Sequence, residues 1–481
     1  MLAVAHVLGL LLAAFAASCL APLACSLLYR DGLALNFLLT AALTAGAGLL
    51  LAGATLRARR ELKPRDGFLL VTLSWLIVPA AAALPLLLSL PALSFTGAYF
   101  EAMSGLTTTG STVITGLDTL APSLNFWRHL LQWIGGLGII VMALAVMPLL
   151  GVGGMQLYKG QAPGVKEERL APRIRETAKN LSTVYLLLTA AAILSLKVCG
   201  MSWFDAVCHA FSVVGLGGFS THDASIAWFN SAAIEAVLTV LMVIASLNFA
   251  RHFTALRQLS LEPYKKDPEC RAIFLVLFLS VLGIAALLQW HGVYPGFGGA
   301  LRASAFNVVS QASTTGFTTQ DYLSWPVFAP YWMLFLSCIA TSTGSTGGGI
   351  KMFRALLLTR QTGRELKLLI HPSAMAPVRI GGRTIPDSVG YGVLALIFLY
   401  LVTALLLIFL LLLTGLDFPS SFQVVVASVN NTAHGLSSPG AVHNLHALTL
   451  AQTWICTAAM LLGRLEIFSI VVLLRPAYWR K

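Results

Sequence analysis

The chain has 481 residues, of which 57% are hydrophobic and only 10% charged, with a formal net charge of +12. That is too little charge to cover a soluble protein of this size. Nor does the positive balance indicate a nucleic-acid partner, because the basic residues fall in short stretches between long apolar runs.

The first run, Leu2 to Leu28, carries no charge. Crossing a bilayer core of about 30 Å takes roughly 20 helical residues, so it reads as a span. Cys19, in Ala16-Ala17-Ser18-Cys19, superficially suggests a lipoprotein processing site. No basic stretch precedes it and the run is too long for a signal core, so the span reading stands. A second span, Ala34 to Leu56, follows the turn Arg30-Asp31-Gly32. The seven cysteines are scattered, mostly in apolar runs, with no CxxC or metal-type spacing, and read as packing residues.

After the basic cluster Arg57, Arg59, Arg60, Lys63 and Arg65 comes a different unit. An apolar run (Phe68 to Leu90) ends before Pro91, and a short amphipathic segment covers Thr96 to Leu106. Then come Thr107-Thr108-Thr109-Gly110-Ser111-Thr112 and a second apolar run from Phe126. The middle segment is too short to span, so it is expected to enter the membrane and return on the same side. Irregular backbone at that depth is tolerated only in a protein interior or along a water-filled path.

The plan recurs three times. The second copy has the short segment Trp203 to Val213, the turn Val214-Gly215-Leu216-Gly217-Gly218-Phe219-Ser220-Thr221 and the run Ala232 to Ala250, interrupted only by Glu235. The third has Ser313-Thr314-Thr315-Gly316-Phe317-Thr318-Thr319, and the fourth Asn430-Asn431-Thr432-Ala433-His434-Gly435-Leu436. Aligning Gly110, Gly218, Gly316 and Gly435 brings Ser104, Ser212 and Ser310 into register, with Val429 in the fourth copy, and matches Phe100 with Phe306. Further basic clusters (Lys159 to Lys179, Arg251 to Arg271, Lys351 to Arg383, Arg475 to Lys481) separate the copies, and the intervening loops are nearly free of Lys and Arg. The positive-inside rule puts all the clusters, and both termini, in the cytoplasm.

The expected fold is an all-α polytopic membrane protein. It has an N-terminal span pair (1–62) and four span–pore-loop–span repeats (63–165, 166–262, 263–375, 376–481) in pseudo-fourfold arrangement, about ten spans in all.

Four Gly/Thr turns around one axis suit a dehydrated monovalent cation. Backbone carbonyls replace its water shell, glycine lets the chain aim them inward, and the preceding short helices turn their negative ends to the axis. The ion-facing residues are expected to be Thr108, Thr109 and Gly110; Leu216, Gly217 and Gly218; Thr314, Thr315 and Gly316; and Ala433, His434 and Gly435. Glu101 and His209, each nine residues before its glycine, are expected to brace the turns, as is the pair His222-Asp223.

The stretch Cys338 to Lys351 interrupts the second span of the third copy. Its Thr343, Gly344, Ser345, Thr346, Gly347, Gly348 and Gly349 cannot hold a continuous helix well. It is not a phosphate loop, because Ile350 separates Gly349 from Lys351 and no Gly-Lys-Ser/Thr follows. It is expected to be a gate below the turns. A buried charge in a span is costly and faces a cavity or bundle interior, so Arg464 is expected to bond carbonyls of that gate loop. A protease or transferase would need a Ser/His, paired Asp or HExxH set on facing spans, and none occurs, so the chain does not read as an enzyme.

At Phe100-Glu101-Ala102-Met103-Ser104-Gly105-Leu106-Thr107-Thr108-Thr109-Gly110, Gly217 to Asp223, Thr314 to Phe317, Ser345 to Lys351 and Met460 to Glu466, the chain resembles the Trk/Ktr/HKT superfamily of potassium transporters, its bacterial TrkH branch in particular. The resemblance covers nearly the whole chain. It implies potassium uptake across the bacterial inner membrane with K⁺ in the filter. It also implies a homodimer with a pore in each subunit, gating by the loop and Arg464, and a cytoplasmic RCK-type nucleotide-binding regulatory partner. The fourth turn departs from the family's Asn-Asn-x-Gly-Pro-Gly-Leu at Ala433 and His434. His434 is therefore expected to make conduction sensitive to protonation near its usual pKa of about 6.5.

Overall fold

The computed structural model describes residues 1–58, 60, 62–150, 170–433 and 445–480, and within them the chain is mostly helical. The N-terminal pair is α1 (Leu2–Ala16) with α2 (Leu20–Tyr29), then α3 (Ala34–Ala54). Glycines let α1 and α3 cross closely: a Cβ on Gly9 would lie under 3.0 Å from the Gly48 carbonyl oxygen. The turn after α2 is anchored by Asp31, which accepts from the Leu33 and Ser123 amides (3.2 and 3.0 Å) and from Ser26 Oγ.

The remaining helices follow the expected order. The first unit is α4 (Pro64–Ser89), α5 (Phe95–Leu106) and α6 (Pro122–Leu150). The second is α7 (Leu170–Val198), α8 (Trp203–Gly215), then α9 (Ala232–Ser246) and α10 (Phe249–Gln258), followed by the short α11 (Glu262–Lys265). The third is α12 (Pro268–Trp290), α13 (Phe297–Ala312), α14 (Phe328–Ile339) and α15 (Met352–Ile370). A two-stranded hairpin, Arg379–Ile380 paired with Arg383–Thr384, leads to the fourth: α16 (Asp387–Leu413), α17 (Phe418–Asn430), α18 (Leu450–Arg464) and α19 (Phe468–Leu474).

Six helices are long and apolar enough to cross a membrane, and two bent pairs pass the same test together. Among the described residues this gives up to eight spans; Phe328–Ile339 (α14) is a shorter apolar helix outside that count. Only 22–33% of each of the six span windows is buried. The outward faces carry Leu275, Phe278 and Leu279 on α12 and Leu401, Leu405 and Phe409 on α16, all exposed. Apolar surface on that scale is stable in lipid rather than water. This is a multi-pass membrane protein.

The helices α5, α8, α13 and α17 are 12 to 16 residues long and too short to span. Their starts are encoded locally. Ser94 caps the Gly97 amide, Ser202 the Asp205 amide and Asp417 the Ser420 amide, each satisfying a helix-end donor. Their C-terminal halves are buried between the flanking spans. Three second spans break: α9 to α10 bends by 101°, α18 to α19 by 106°, and residues 340–351 separate α14 from α15.

Candidate functional site

The four short helices deliver four turns of shared construction. In each, one backbone amide returns to the helix: Thr109 to Ser104, Gly217 to Ser212, Thr315 to Ser310 and Thr432 to Ala427, all at 2.9 Å. One residue earlier the backbone is left-handed, at Thr108 (φ 54°), Leu216 (54°), Thr314 (63°) and Asn431 (53°). Such a conformation costs a non-glycine residue about 1–3 kcal/mol, and it persists only where the surroundings enforce it. The following glycines have φ of 83° (Gly110), 77° (Gly218) and 90° (Gly316).

This register corrects the sequence alignment of the fourth copy. Counting from Thr432 and Ala427, the residue equivalent to the three glycines is Ala433, not Gly435, and the residue equivalent to the three serines is Ala427, not Val429. Counting glycines missed the shift because alanine occupies the slot. His434 and Gly435 lie outside the described residues.

The slots form a ring. A Cβ on Gly110 would come under 3.0 Å from the Gly217 carbonyl oxygen, one on Gly218 equally close to the Thr315 oxygen, and one on Gly316 equally close to Ala433. Each turn thus leans on the next copy's turn, and a side chain at Gly110, Gly218 or Gly316 would overlap backbone. The Ala433 methyl also approaches Gly110, closing the circle. The serines act as braces: Ser104 Oγ donates to Ser111 O (2.6 Å), Ser212 Oγ to Phe219 O (2.8 Å) and Ser310 Oγ to Phe317 O (2.6 Å). Each tethers the residue just past its glycine, and Ala427 has no hydroxyl to do the same.

Outer braces differ from turn to turn. Glu101 accepts from Arg128 Nε (2.7 Å), Thr112 Oγ1 (3.0 Å) and the Val113 amide (3.1 Å), so it holds the chain just past the first turn, as expected. Arg128 is buried too, with its guanidinium carbon 4.2 Å from the Phe219 ring centroid. His209 bridges Asp205 O (2.8 Å) and Ser220 Oγ (2.9 Å), again as a brace. Gln132 was missed by sequence reasoning, although a lone amide within an apolar run was the available signal. It donates to Gly217 O (2.6 Å), and its oxygen accepts from the Phe219 amide (3.2 Å) and from Ser212 Oγ. In the fourth copy Asn431 Nδ2 donates to Thr109 Oγ1 (3.1 Å) and Met460 O (2.9 Å).

On one side of the ring a cavity of about 360 Å³ is lined by Gly110, Gly218, Arg128, His222, Asp223 and Asp321, among others. His222 joins two copies here, stacked on Trp228 and 2.5 Å from Asp118 Oδ1. Burial alone would raise the Asp118 carboxyl, but hydrogen bonds from His222 and the Asp223 amide outweigh it and hold the group below the usual carboxylate range. Asp223 accepts from the Leu117 amide (3.1 Å), so His222-Asp223 braces loops as expected.

On the other side lies the loop of residues 340–351. It touches the turns directly: the Gly348 amide donates to Thr314 Oγ1 (3.1 Å) and Thr346 Oγ1 to Val214 O (3.1 Å). Glycine is required here, since a Cβ on Gly348 would overlap the Asn430 carbonyl and one on Gly349 the Ser337 carbonyl. Arg464 donates from one terminal nitrogen to Thr346 O (2.9 Å) and from the other to Gly135 O (3.1 Å). It is buried, and it ends α18 at the bend rather than sitting within a continuous span. Its neighbour Glu466 does not pair with it; Glu466 binds Arg354 (2.5 Å) and Lys351 (3.6 Å), at the loop's C-terminal end. Thr343, Gly344 and Ser345 have other contacts: the Thr343 amide donates to Glu269 Oε2 (2.8 Å), the Phe249 amide to Gly344 O (3.1 Å) and Ser345 Oγ to Ser342 O (2.8 Å). Two further charges acquire partners: Glu235 forms a two-bond ion pair with Arg302 on α13, and Lys197 donates to Met201 O.

Residues 36–481 match the TrkH family model, described as a cation transport protein. The chain is 41% identical over 481 residues to the Trk system potassium uptake protein TrkH of Escherichia coli K12, covering 100% of this chain and 99% of that protein. It is 43% identical over 479 residues to the protein of the same name from Vibrio parahaemolyticus, with 99% and 98% coverage. The crystal structure of the potassium transporter TrkH from Vibrio parahaemolyticus superposes with a TM-score of 0.92 at 41% identity, over 100% of this chain and 99% of that one.

Proposed function

The chain belongs to the TrkH family of cation transport proteins, and we propose that it takes up potassium through the ring of four turns. The relatives' names support K⁺ as the cargo. The observation that carries the pore reading is the ring itself, with four strained turns leaning on one another and no room for a side chain at Gly110, Gly218 or Gly316. Carbonyl oxygens of Thr108 to Gly110, Leu216 to Gly218, Thr314 to Gly316 and the fourth turn replace the ion's water. The C-terminal ends of α5, α8, α13 and α17 add negative potential. The cavity lined by Asp223 and Asp321 is the outer mouth, where carboxylates concentrate cations.

The loop of residues 340–351 is the gate, and Arg464 holds it shut against Gly135 and Thr346 while repelling resting cations. The basic clusters mark the cytoplasmic face, so both termini are inside, in the bacterial inner membrane. The protein works as a homodimer with an RCK-type nucleotide-binding regulator docked on that face. A second, less selective K⁺/Na⁺ reading is favoured by one observation, the methyl of Ala433 in a glycine slot.

Uptake of radioactive rubidium into proteoliposomes, competed with K⁺ and Na⁺, tests these readings. Competition by K⁺ but not Na⁺ is expected, as is faster basal uptake in Arg464→Ala. Equal competition by Na⁺ would favour the second reading. Silence in both wild type and Arg464→Ala would overturn the pore.

A further inference from the structure

The N-terminal limb of the loop is held by a different set of contacts. The Ser342 amide donates to Ser246 O (2.9 Å) at the end of α9, and the Phe249 amide of α10 donates to Gly344 O (3.1 Å). Between these, Glu269 Oε2 accepts from Ser342 Oγ and from the Thr343 amide, both at 2.8 Å. Glu269 lies in the first turn of α12, is buried, and has no basic group of the described residues within ion-pairing distance. Its own amide is capped by Asp267, and Asp267 pairs with Arg251 of α10 (2.8 Å).

A buried carboxyl whose nearest compensating charge, Lys351, lies beyond ion-pairing distance is an expensive way to bond two donors that a neutral acceptor could satisfy. Its position reduces the cost, because a helix N-terminus favours negative charge. It also matches Glu466, whose carboxylate grips Lys351 and Arg354 at the loop's other end. The loop is therefore held at both ends by carboxylates, with Arg464 between them.

We propose that Glu269 is a positioning residue for gating, whose carboxylate fastens the N-terminal limb of the loop to the start of α12. The inference rests on the gate reading above. Opening displaces Thr346 and Gly348 from the turns, and the limb that carries them pivots on Ser342 and Thr343. Losing the fastening therefore frees the loop without touching the ion-facing residues.

The test is rubidium uptake by the full chain in proteoliposomes without any partner. Glu269→Leu removes the acceptor and is expected to raise basal uptake roughly tenfold, on the scale of a lost charge-assisted hydrogen bond. Glu269→Gln keeps an acceptor oxygen for the same two donors without the charge and is expected to bring uptake most of the way back to the wild-type rate. The half-saturating rubidium concentration and the K⁺/Na⁺ competition ratio stay unchanged, which general loss of structure would not allow. Should Glu269→Leu fail to fold, Ser342→Ala removes one donor from the loop side and is expected to raise uptake several-fold. Wild-type uptake in folded Glu269→Leu, or in Ser342→Ala, alongside a leaky Arg464→Ala, overturns this inference alone. Silence in Arg464→Ala as well overturns the gate reading and this inference with it.

Discussion

Replacing Arg128 by methionine keeps most of its volume and removes its charge. In the intact protein Arg128 Nε lies 2.7 Å from Glu101 Oε1, and the two side chains are 1% and 0% exposed. Without Arg128, Glu101 keeps Thr112 and the Val113 amide as donors but loses its only counter-charge among the described residues. Breaking a buried pair from one side costs about 3–5 kcal/mol, because the surviving charge is left uncompensated. Removing both charges, in Arg128→Met/Glu101→Gln, leaves no uncompensated charge. The double variant is therefore expected to be more stable than Arg128→Met by on the order of 2 kcal/mol. The assay is the unfolding midpoint of purified protein in detergent, with rubidium/sodium competition as a second readout. Selectivity should fall together with stability in Arg128→Met, since Glu101 holds Thr112 and Val113 just past the first turn and Arg128 packs on Phe219 past the second. Wild-type stability in Arg128→Met, or a double variant at least as unstable as the sum of the singles, would refute the reasoning.

Gly463→Ala puts a Cβ under 3.0 Å from the Val429 carbonyl oxygen, and that oxygen belongs to the pore-helix backbone and cannot swing aside. The expected cost is about 1–3 kcal/mol of overpacking. A raised basal rubidium uptake is also expected as the adjacent Arg464 leaves Thr346; an unchanged uptake would mean that α18 absorbs the methyl by moving elsewhere. Ala433→Gly removes the methyl that faces Gly316 and Gly110 and is expected to raise the K⁺ over Na⁺ competition ratio. An unchanged ratio would mean that the fourth slot does not set selectivity.

Much of the local chemistry could be read directly. Ser94, Ser202 and Asp417 cap three of the short helices, a local signal that the sequence carries although no cap was read there. The glycines of 344–349 implied a helix break, and a break is present. Arg464 was expected to bond carbonyls of the gate loop; it bonds one there, Thr346 O, and its second partner is Gly135 O of α6. The fourth turn was misread because matching glycine to glycine ignores the hydrogen-bond register, and only the pairing of Thr432 with Ala427 puts Ala433 in the slot.

What the sequence by itself determined is the membrane class, the order of spans and short helices, and the break at 340–351. These depend on apolar length, capping side chains and glycine, and all act over a few residues. The 101° bend inside the run Ala232 to Ala250, read as one span, and the 106° bend after Arg464 came only from the structure. Beyond those bends, what only the tertiary structure decided is which distant groups meet. Gln132 reaches Gly217, Glu269 reaches Ser342 and Thr343, and Glu466 reaches Lys351 and Arg354 rather than its neighbour Arg464. A buried polar group must find a partner, but which one it finds depends on how whole helices pack, and no local pattern in the chain carries that information.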